Sequence, residues 1–284
     1  MTGQLITFLS DYGVGDTSVG VCHGVIARYA PDARVVDLCH TIAPQDIAHG
    51  ATKLAAAVGY LPACVHLAVI EPVTADGFSR GVAVRTVDGS TFIAPDNGLT
   101  SLAWGELGGV ASVHEIADPG MWLPRPSDVF RGRDVYAPVA ARIVTGTAPD
   151  EVGPPVDPDT LVRVVPRRCE VDLDHVHGEI VDIDHFGNLV VNAARTDLEA
   201  AGLTLGDPVE LRIGGRALQV RYTHTYGEVP PGRVVVCEDS LHRVMIAVNL
   251  GRAAEILRAH RGEAVVIAQA QRQATIIPAP EPIW

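Results

Sequence analysis

Short apolar runs alternate with helical spacings through the first half of the chain. Leu5–Ser10 (LITFLS) is an unbroken apolar run of strand length that stops at Asp11-Tyr12-Gly13, the pattern of a strand buried on both faces. Ser18–Tyr29 then carries apolar side chains at near-helical spacing and ends before Pro31, and residues 33–38 (ARVVDL) form another buried-strand run. Together these predict a βαβ unit. The alternation continues with a helix over Ile47–Val58, a strand over 65–70, strands over 81–87 and 90–95 about an Asp88-Gly89 turn, and helices over 99–107 and 135–145. Strands interleaved with helices predict a layered α/β domain, whose ligand loops lie at the carboxyl ends of the strands.

The texture changes past residues 147–160 (TAPDEVGPPVDPDT), a stretch rich in Pro, Gly and Asp that lacks periodicity and reads as a linker. From about Val171 the chain becomes a series of short β-type runs, GEIVDID, NLVVN, PVELRI, ALQVRY, RVVVCED, RVMIAVN and AVVIAQ, with one helix over 252–260. Such runs suit a small β-barrel or a sandwich. The expected organisation is an α/β domain over 1–166, including the linker, and a smaller β domain over 170–284.

Composition narrows the partners. The 284 residues hold 22 Lys plus Arg against 34 Asp plus Glu, a formal net charge of -12, which repels both a nucleic-acid backbone and an anionic membrane. Apolar runs fall short of a membrane span, and Asp11 interrupts the N-terminus too early for a signal peptide, so a cytoplasmic protein is expected. The five cysteines are scattered and never form a CxxC pair, which suggests small core residues in a reducing compartment.

Three constellations carry candidate chemistry. Asp11, Asp16 and Ser18 share one glycine-containing loop that enters a helix. Carboxylates there suit a diol or an ammonium group, while capping of the helix by Asp16 or Thr17 is the competing reading. Glu71 follows a buried strand, and Arg131 and Arg133 lie later in FRGRD; a carboxylate and a guanidinium on neighbouring loop ends can orient a small nucleophile. In IDHFGN, Asp184, Phe186 and Asn188 flank a glycine. Phe186 offers a stacking face and Asn188 an amide for a purine edge, and a plain β-turn with a core aromatic explains the same residues. His175, His177 and His185 lie nearby, but His-x-His on a strand reads as a polar face without an acidic partner at ligand spacing, so no metal is expected.

The ordered set FLSDYGVGD, HTIAPQD, IEPVT, APDNGL, FRGRDVYAPVA, IDHFGN and AVNLG resembles the S-adenosylmethionine hydroxide adenosyltransferase family and its relatives, the fluorinases and chlorinases, over nearly the whole chain. The resemblance implies an α/β N-terminal domain, a β-barrel C-terminal domain, and a homotrimer binding S-adenosylmethionine between domains of adjacent subunits. S-adenosylmethionine is then the substrate, with no cofactor. Carried over position by position, Asp11 is implied to grip the ribose hydroxyls, and Asp16 and Ser18 to hold the methionine end. Asp184 faces the methionine ammonium, Phe186 lies against the adenine and Asn188 bonds it. Ser240 meets the methionine carboxylate, with Tyr226 and Asn249 on the adenine side.

This chain departs from the family where the nucleophile is handled. Hydroxide-transferring members have Asp, Arg and His; the corresponding places here hold Glu71, Arg80 and Arg131. Arginine stays protonated, which leaves Glu71 as the proton acceptor. Gln45 stands where a ribose-side aromatic is expected. Thr74 matches a fluorinase threonine, but those enzymes carry tyrosine at the Glu71 position. The implied activity is hydrolysis of S-adenosylmethionine to adenosine and L-methionine by in-line attack of water at C5′. The alternatives are a halide-using 5′-halo-5′-deoxyadenosine synthase and a non-catalytic S-adenosylmethionine-binding protein.

Overall fold

The computed structural model describes residues 4–72 and 77–270. It divides into two units, Met1–Pro166 and Arg167–Trp284. In the first, the strands are β1 (Leu5–Ser10), β2 (Arg34–Cys39), β3 (Val65–Val69), β4 (Gly81–Thr86), β5 (Thr91–Pro95) and β6 (Val110–Glu115). The helices are α1 (Ser18–Tyr29), α2 (Ile47–Val58), α3 (Ser101–Glu106) and α4 (Ala137–Val144). The sheet order is β2-β1-β3-β5-β4-β6, parallel from β2 to β5 and antiparallel where β4 pairs with β5 and β6.

Side-chain alternation decides which helices cover which face. Ile6 and Phe8 of β1 pack with Cys22 and Ile26 of α1 and Val139 of α4. Leu9 turns to the other face, against Leu54 and Val58 of α2 and Trp104 of α3. Of the runs read as buried strands, β3 and β5 are buried at every residue, whereas β2, at the edge of the sheet, has no fully buried residue. Asp46 fixes the start of α2 by accepting the His49 backbone N–H at 3.0 Å.

Arg167–Trp284 contains β7 (Glu170–Val171), β8 (His175–Ile183), β9 (Leu189–Ala194), α5 (Arg195–Ala200), β10 (Pro208–Ile213), β11 (Arg216–Tyr222), β12 (Val234–Glu238), β13 (Arg243–Val248), α6 (Ala253–Leu257) and β14 (Ala264–Gln269). Pairing of β14 with β8, Ala264 opposite Glu179 through Ala268 opposite His175, closes seven strands into a barrel. That pairing decides between barrel and sandwich. The interior is filled by Ile180, Leu189, Leu211, Val236, Ile246 and Ile267.

Three features differ from the sequence reading, the first being α5, a second short helix in a unit expected to hold one. Strand β6 has a mixed burial pattern and no clean alternation, so the pattern missed it. The segment read as a linker is anchored instead: it forms short 3₁₀ turns at Pro149–Val152 and Pro158–Thr160. Val156 N–H donates to Val113 O at 2.9 Å, and Glu115 N–H donates to Pro154 O at 2.9 Å, so the segment hydrogen-bonds along β6. Among the described residues, no helix is long and apolar enough to cross a membrane.

Gly153 makes that anchoring possible. Its φ is 150°, and a Cβ there would overlap the Glu115 carbonyl oxygen and stand 3.1 Å from Ala117 N, backbone atoms that no rotamer change can move. Gly153→Ala should therefore destabilise the protein by about 1–3 kcal/mol, read as a lower urea midpoint. An unchanged midpoint would show that the segment is not held against β6.

Candidate functional site

The site follows from the order of the sheet. The chain leaves β1 through α1 to reach β2 on one side, then passes through α2 to β3 on the other side of β1. Because α1 and α2 cover opposite faces, a crevice opens at the carboxyl ends of β1 and β3, the point where open α/β sheets hold ligands. Ser10 pairs with Val69, which brings Asp11 and Glu71 to the same edge. A cavity of about 70 Å³ lies there, lined by Asp11, Tyr12, Glu71, Phe78, Phe130 and Arg131 among others. Its volume suits one or a few waters.

Glu71 is the charged group at its centre. Its side chain is only 5% exposed, and its Oε1 accepts from Arg131 Nη1 at 2.7 Å and from the Tyr136 hydroxyl at 2.8 Å. Both donors fall on one oxygen, and among the described residues no donor falls on Oε2. Burial pushes the Glu71 carboxyl above its ordinary range, opposed by the Arg131 charge and the Tyr136 hydrogen bond. The result is a carboxyl more basic than an ordinary glutamate.

Arg131 is held as tightly as the group it pairs with. Nη1 also donates to Ser79 O at 2.6 Å, and the guanidinium carbon lies 5.3 Å from the Phe78 ring centre and 5.1 Å from that of Tyr136. The segment Gly132–Tyr136 is a π-helical turn leading into α4, so Arg131 and Tyr136, five residues apart, reach the same carboxylate oxygen. Tyr136 is fully buried, and burial followed by the Glu71 charge raises its phenol well above the usual value. It therefore stays a donor. Gly132 is required at its position because a Cβ would overlap the Tyr12 hydroxyl. Burial also raises the Tyr12 phenol, and its ring packs edge-on against Phe130 at 5.4 Å.

Asp11 sits at this crevice with Oδ2 accepting the Gln45 backbone N–H at 2.9 Å. Gln45 adopts φ 66° to present that N–H, a left-handed conformation that side chains rarely take. Ser10 Oγ lies 2.7 Å from His40 Nδ1, and Gly13 N–H donates to His40 O at 2.7 Å, which ties the loop after β1 to the loop after β2. Asp16 is exposed, and its Oδ1 accepts from Thr17 Oγ1 and Ser18 N–H, both at 3.2 Å. The N-cap of α1 is Thr17, whose side chain makes no cap bond, and Asp16, one residue earlier, accepts the N–H of the first helical residue, Ser18. Thr74 lies outside the described residues.

Arg80 does not join Glu71 and Arg131. Its Nε donates to Asp96 Oδ2 at 2.8 Å and its Nη2 to Thr160 Oγ1 at 2.9 Å. Asp96 Oδ1 in turn accepts Val162 N–H at 2.9 Å. Arg80 instead ties the start of β4 to the 158–162 segment through the nearly buried Asp96 carboxylate.

In the second unit, Asp184, Phe186 and Asn188 form the β8–β9 turn. The Asp184 oxygens accept Asn188 N–H at 2.9 Å and Asn188 Nδ2 at 2.8 Å. Asn188 thus keeps Oδ1 as its uncommitted polar atom, and Asp184 retains lone pairs on both oxygens. Phe186 is 70% exposed although large and apolar, and Tyr226 is 51% exposed at the Tyr226–Glu228 turn. Ser240 is exposed in the β12–β13 turn. Asn249, just past β13, donates Nδ2 to Val229 O at 2.6 Å.

The sequence reading missed Tyr136, Tyr12 and Phe78. Tyr136 had a signal, since FRGRDVYAPVA places it one wide helical turn after Arg131.

Comparison with known proteins shows the family. Residues 6–153 match the family described as SAM hydroxide adenosyltransferase N-terminal domain, and residues 178–266 the corresponding C-terminal domain. An (R)-S-adenosyl-L-methionine hydrolase of Salinispora arenicola is 40% identical over 91% of this chain and 95% of its own. A fluorinase of Nocardia brasiliensis is 29% identical over 74% of this chain and 78% of its own. A crystal structure of an uncharacterized conserved protein from Thermotoga maritima superposes with a TM-score of 0.85 at 30% identity, covering 93% of this chain and all of that one.

The geometry predicts how the pair behaves when broken. Arg131→Met leaves Glu71 buried without its cation and should cost about 3 kcal/mol at pH 8. The folded-state pKa of Glu71 then rises further, so the penalty is present above that pKa and fades as pH falls through it and the carboxyl becomes neutral. Urea midpoints at a series of pH values check this. A loss that does not depend on pH would separate Arg131 from Glu71.

Proposed function

Because the chain belongs to the SAM hydroxide adenosyltransferase family, we propose that it hydrolyses (R)-S-adenosyl-L-methionine to adenosine and L-methionine, with Glu71 as general base. The observation that carries this reading is the buried Glu71–Arg131–Tyr136 cluster facing a water-sized cavity at the β1/β3 crevice.

The sulfonium makes methionine a neutral leaving group, so the reaction needs a positioned nucleophile and no cofactor. Water in the cavity attacks C5′ on the side opposite sulfur. One water proton passes to Glu71 Oε2, the new bond forms between oxygen and C5′, and the C5′–S electron pair returns to sulfur as the thioether of methionine. Holding the water close to C5′ and shielding it from bulk solvent is worth several kcal/mol. Arg131 contributes twice: its charge favours the ionised form of Glu71 and stabilises negative charge developing on the attacking oxygen. Tyr136 fixes the carboxylate through Oε1.

The remaining residues bind the substrate. Asp11, oriented by the Gln45 N–H, takes the ribose hydroxyls with its other lone pairs. Asp16 and Ser18 hold the methionine end. A neighbouring copy of a homotrimer supplies the Asp184 carboxylate for the ammonium, the exposed Phe186 ring for the adenine, and Asn188 Oδ1 as acceptor for the adenine amino group. Tyr226 and Asn249 complete the adenine side, and Ser240 meets the methionine carboxylate. The exposure of Phe186 and Tyr226 supports this, since large rings left bare on one chain mark a binding surface.

A halide nucleophile is disfavoured at this site. The Glu71 carboxylate lines the same small cavity and its charge opposes the entry of an anion, an effect reduced by Arg131, which pairs with it and lines the cavity too. The test is product analysis in ¹⁸O-labelled water, with and without chloride. The label should enter the adenosine 5′-hydroxyl, and chloride should yield no 5′-chloro-5′-deoxyadenosine. Glu71→Gln should retain substrate affinity while slowing adenosine release by about 10²-fold or more. Unlabelled adenosine, or a Glu71→Gln enzyme as fast as the native one, would contradict the assignment.

A further inference from the structure

The start of the barrel holds a cluster that the reaction does not use. Among the described residues, Asp172, His175 and His177 are the one group of three or more His, Cys, Asp or Glu side chains whose candidate ligand atoms all lie within 4.8 Å of one another. His175 and His177 are two apart on β8 and share a face of the strand, with ring centres 4.7 Å apart. The short β7–β8 hairpin pairs Val171 with Val176, and Asp172 N–H donates to His175 O at 2.9 Å. That turn folds Asp172 back over His175 and supplies the acidic partner that linear spacing did not reveal.

We propose that Asp172, His175 and His177 form a binding site for one divalent transition-metal ion of the zinc type. The ligands are His175 Nε2, one ring nitrogen of His177 and Asp172 Oδ2, with water completing a tetrahedron. Zinc bonds of 2.0–2.1 Å space tetrahedral ligand atoms about 3.3 Å apart, and Asp172 Oδ2 already lies 3.1 Å from His175 Nε2. A second observation points the same way: Asp174 Oδ1 lies 2.6 Å from His175 Nδ1. A carboxylate on the far nitrogen is the outer-shell arrangement that orients a metal-binding histidine and raises its basicity. Asp172 and Asp174 thus bring two carboxylates to His175, one to each ring nitrogen.

The site is separate from the substrate-binding turn of its own unit. His175 opens β8 and Asp184 follows its end, a span of about 25–30 Å of strand. A bound ion would fasten the β7–β8 hairpin to the barrel seam where β14 also pairs with β8, and would leave the chemistry alone.

The experiment uses untagged, chelator-stripped protein titrated with Zn²⁺ by calorimetry and with Co²⁺ by visible absorption. One ion per chain is expected, with the visible spectrum of four-coordinate Co²⁺. His177→Ala should weaken Zn²⁺ binding by about 100-fold, and Asp174→Asn by about tenfold. Both variants should release adenosine at the native rate, or, if the chain has no turnover, keep the native urea midpoint, which reports that they fold. Absence of stoichiometric binding overturns the proposal. So does Zn²⁺ binding that survives in the His175→Ala, His177→Ala double variant, since the ion would then sit on other histidines or on the free cysteines.

Discussion

Everything at the crevice depends on keeping one carboxylate charged while it is buried. Glu71 loses most of its hydration at the end of β3, a cost of several kcal/mol if left uncompensated. Arg131 and Tyr136 offset it by converging on Oε1. Each compensator carries its own requirements. Arg131 needs the Ser79 carbonyl and two aromatic faces to hold its guanidinium. Tyr136 needs the space left by Gly81, where a Cβ would come within 2.8 Å of its ring. The π-helical turn spaces the two donors to meet at one atom.

The rest of the first unit serves that placement. The parallel core β2-β1-β3-β5 brings two carboxylates, Asp11 and Glu71, to one edge with different surroundings. Asp11 is half-exposed and bound by a backbone N–H, suited to accepting hydroxyl donors. Glu71 is enclosed and basic, suited to accepting a proton. Environment separates the roles of two like groups. The Arg80–Asp96 pair acts further back, clamping the entry to β4 against the 158–162 segment, so the chain at Ser79, just before that strand, has a fixed anchor.

Much of this was legible in the sequence, and the reasons for the rest are physical. Unbroken apolar runs such as LITFLS and VHLAVI announced doubly covered strands, and Asp11 and Glu71 stood at their carboxyl ends. The Glu71–Arg131 pairing was anticipated from loop ends meeting across a sheet. Strand β6 was invisible because VASVHE mixes polar and apolar residues on both faces. The Arg80–Asp96 pair was not legible because no local pattern showed that Asp96, sixteen residues on, would be buried beside Arg80. Tyr136 and the Asp172–His175 contact share a cause. Each is a meeting of side chains set by a turn's geometry, the π-helical turn in one case and a two-residue strand folding back in the other.

The central claim, that a buried and basic Glu71 accepts the proton from water, is tested most directly by the pH dependence of kcat for adenosine release at saturating substrate, in the native enzyme and in Tyr136→Phe. The account predicts an acid limb along which activity falls as Glu71 protonates, with an apparent pKa above the ordinary glutamate value of about 4.3. Removal of the Tyr136 donor, which favours the charged form, should move that limb to still higher pH. A rate that stays level down to the ordinary glutamate range, or a limb that does not move in Tyr136→Phe, would contradict it.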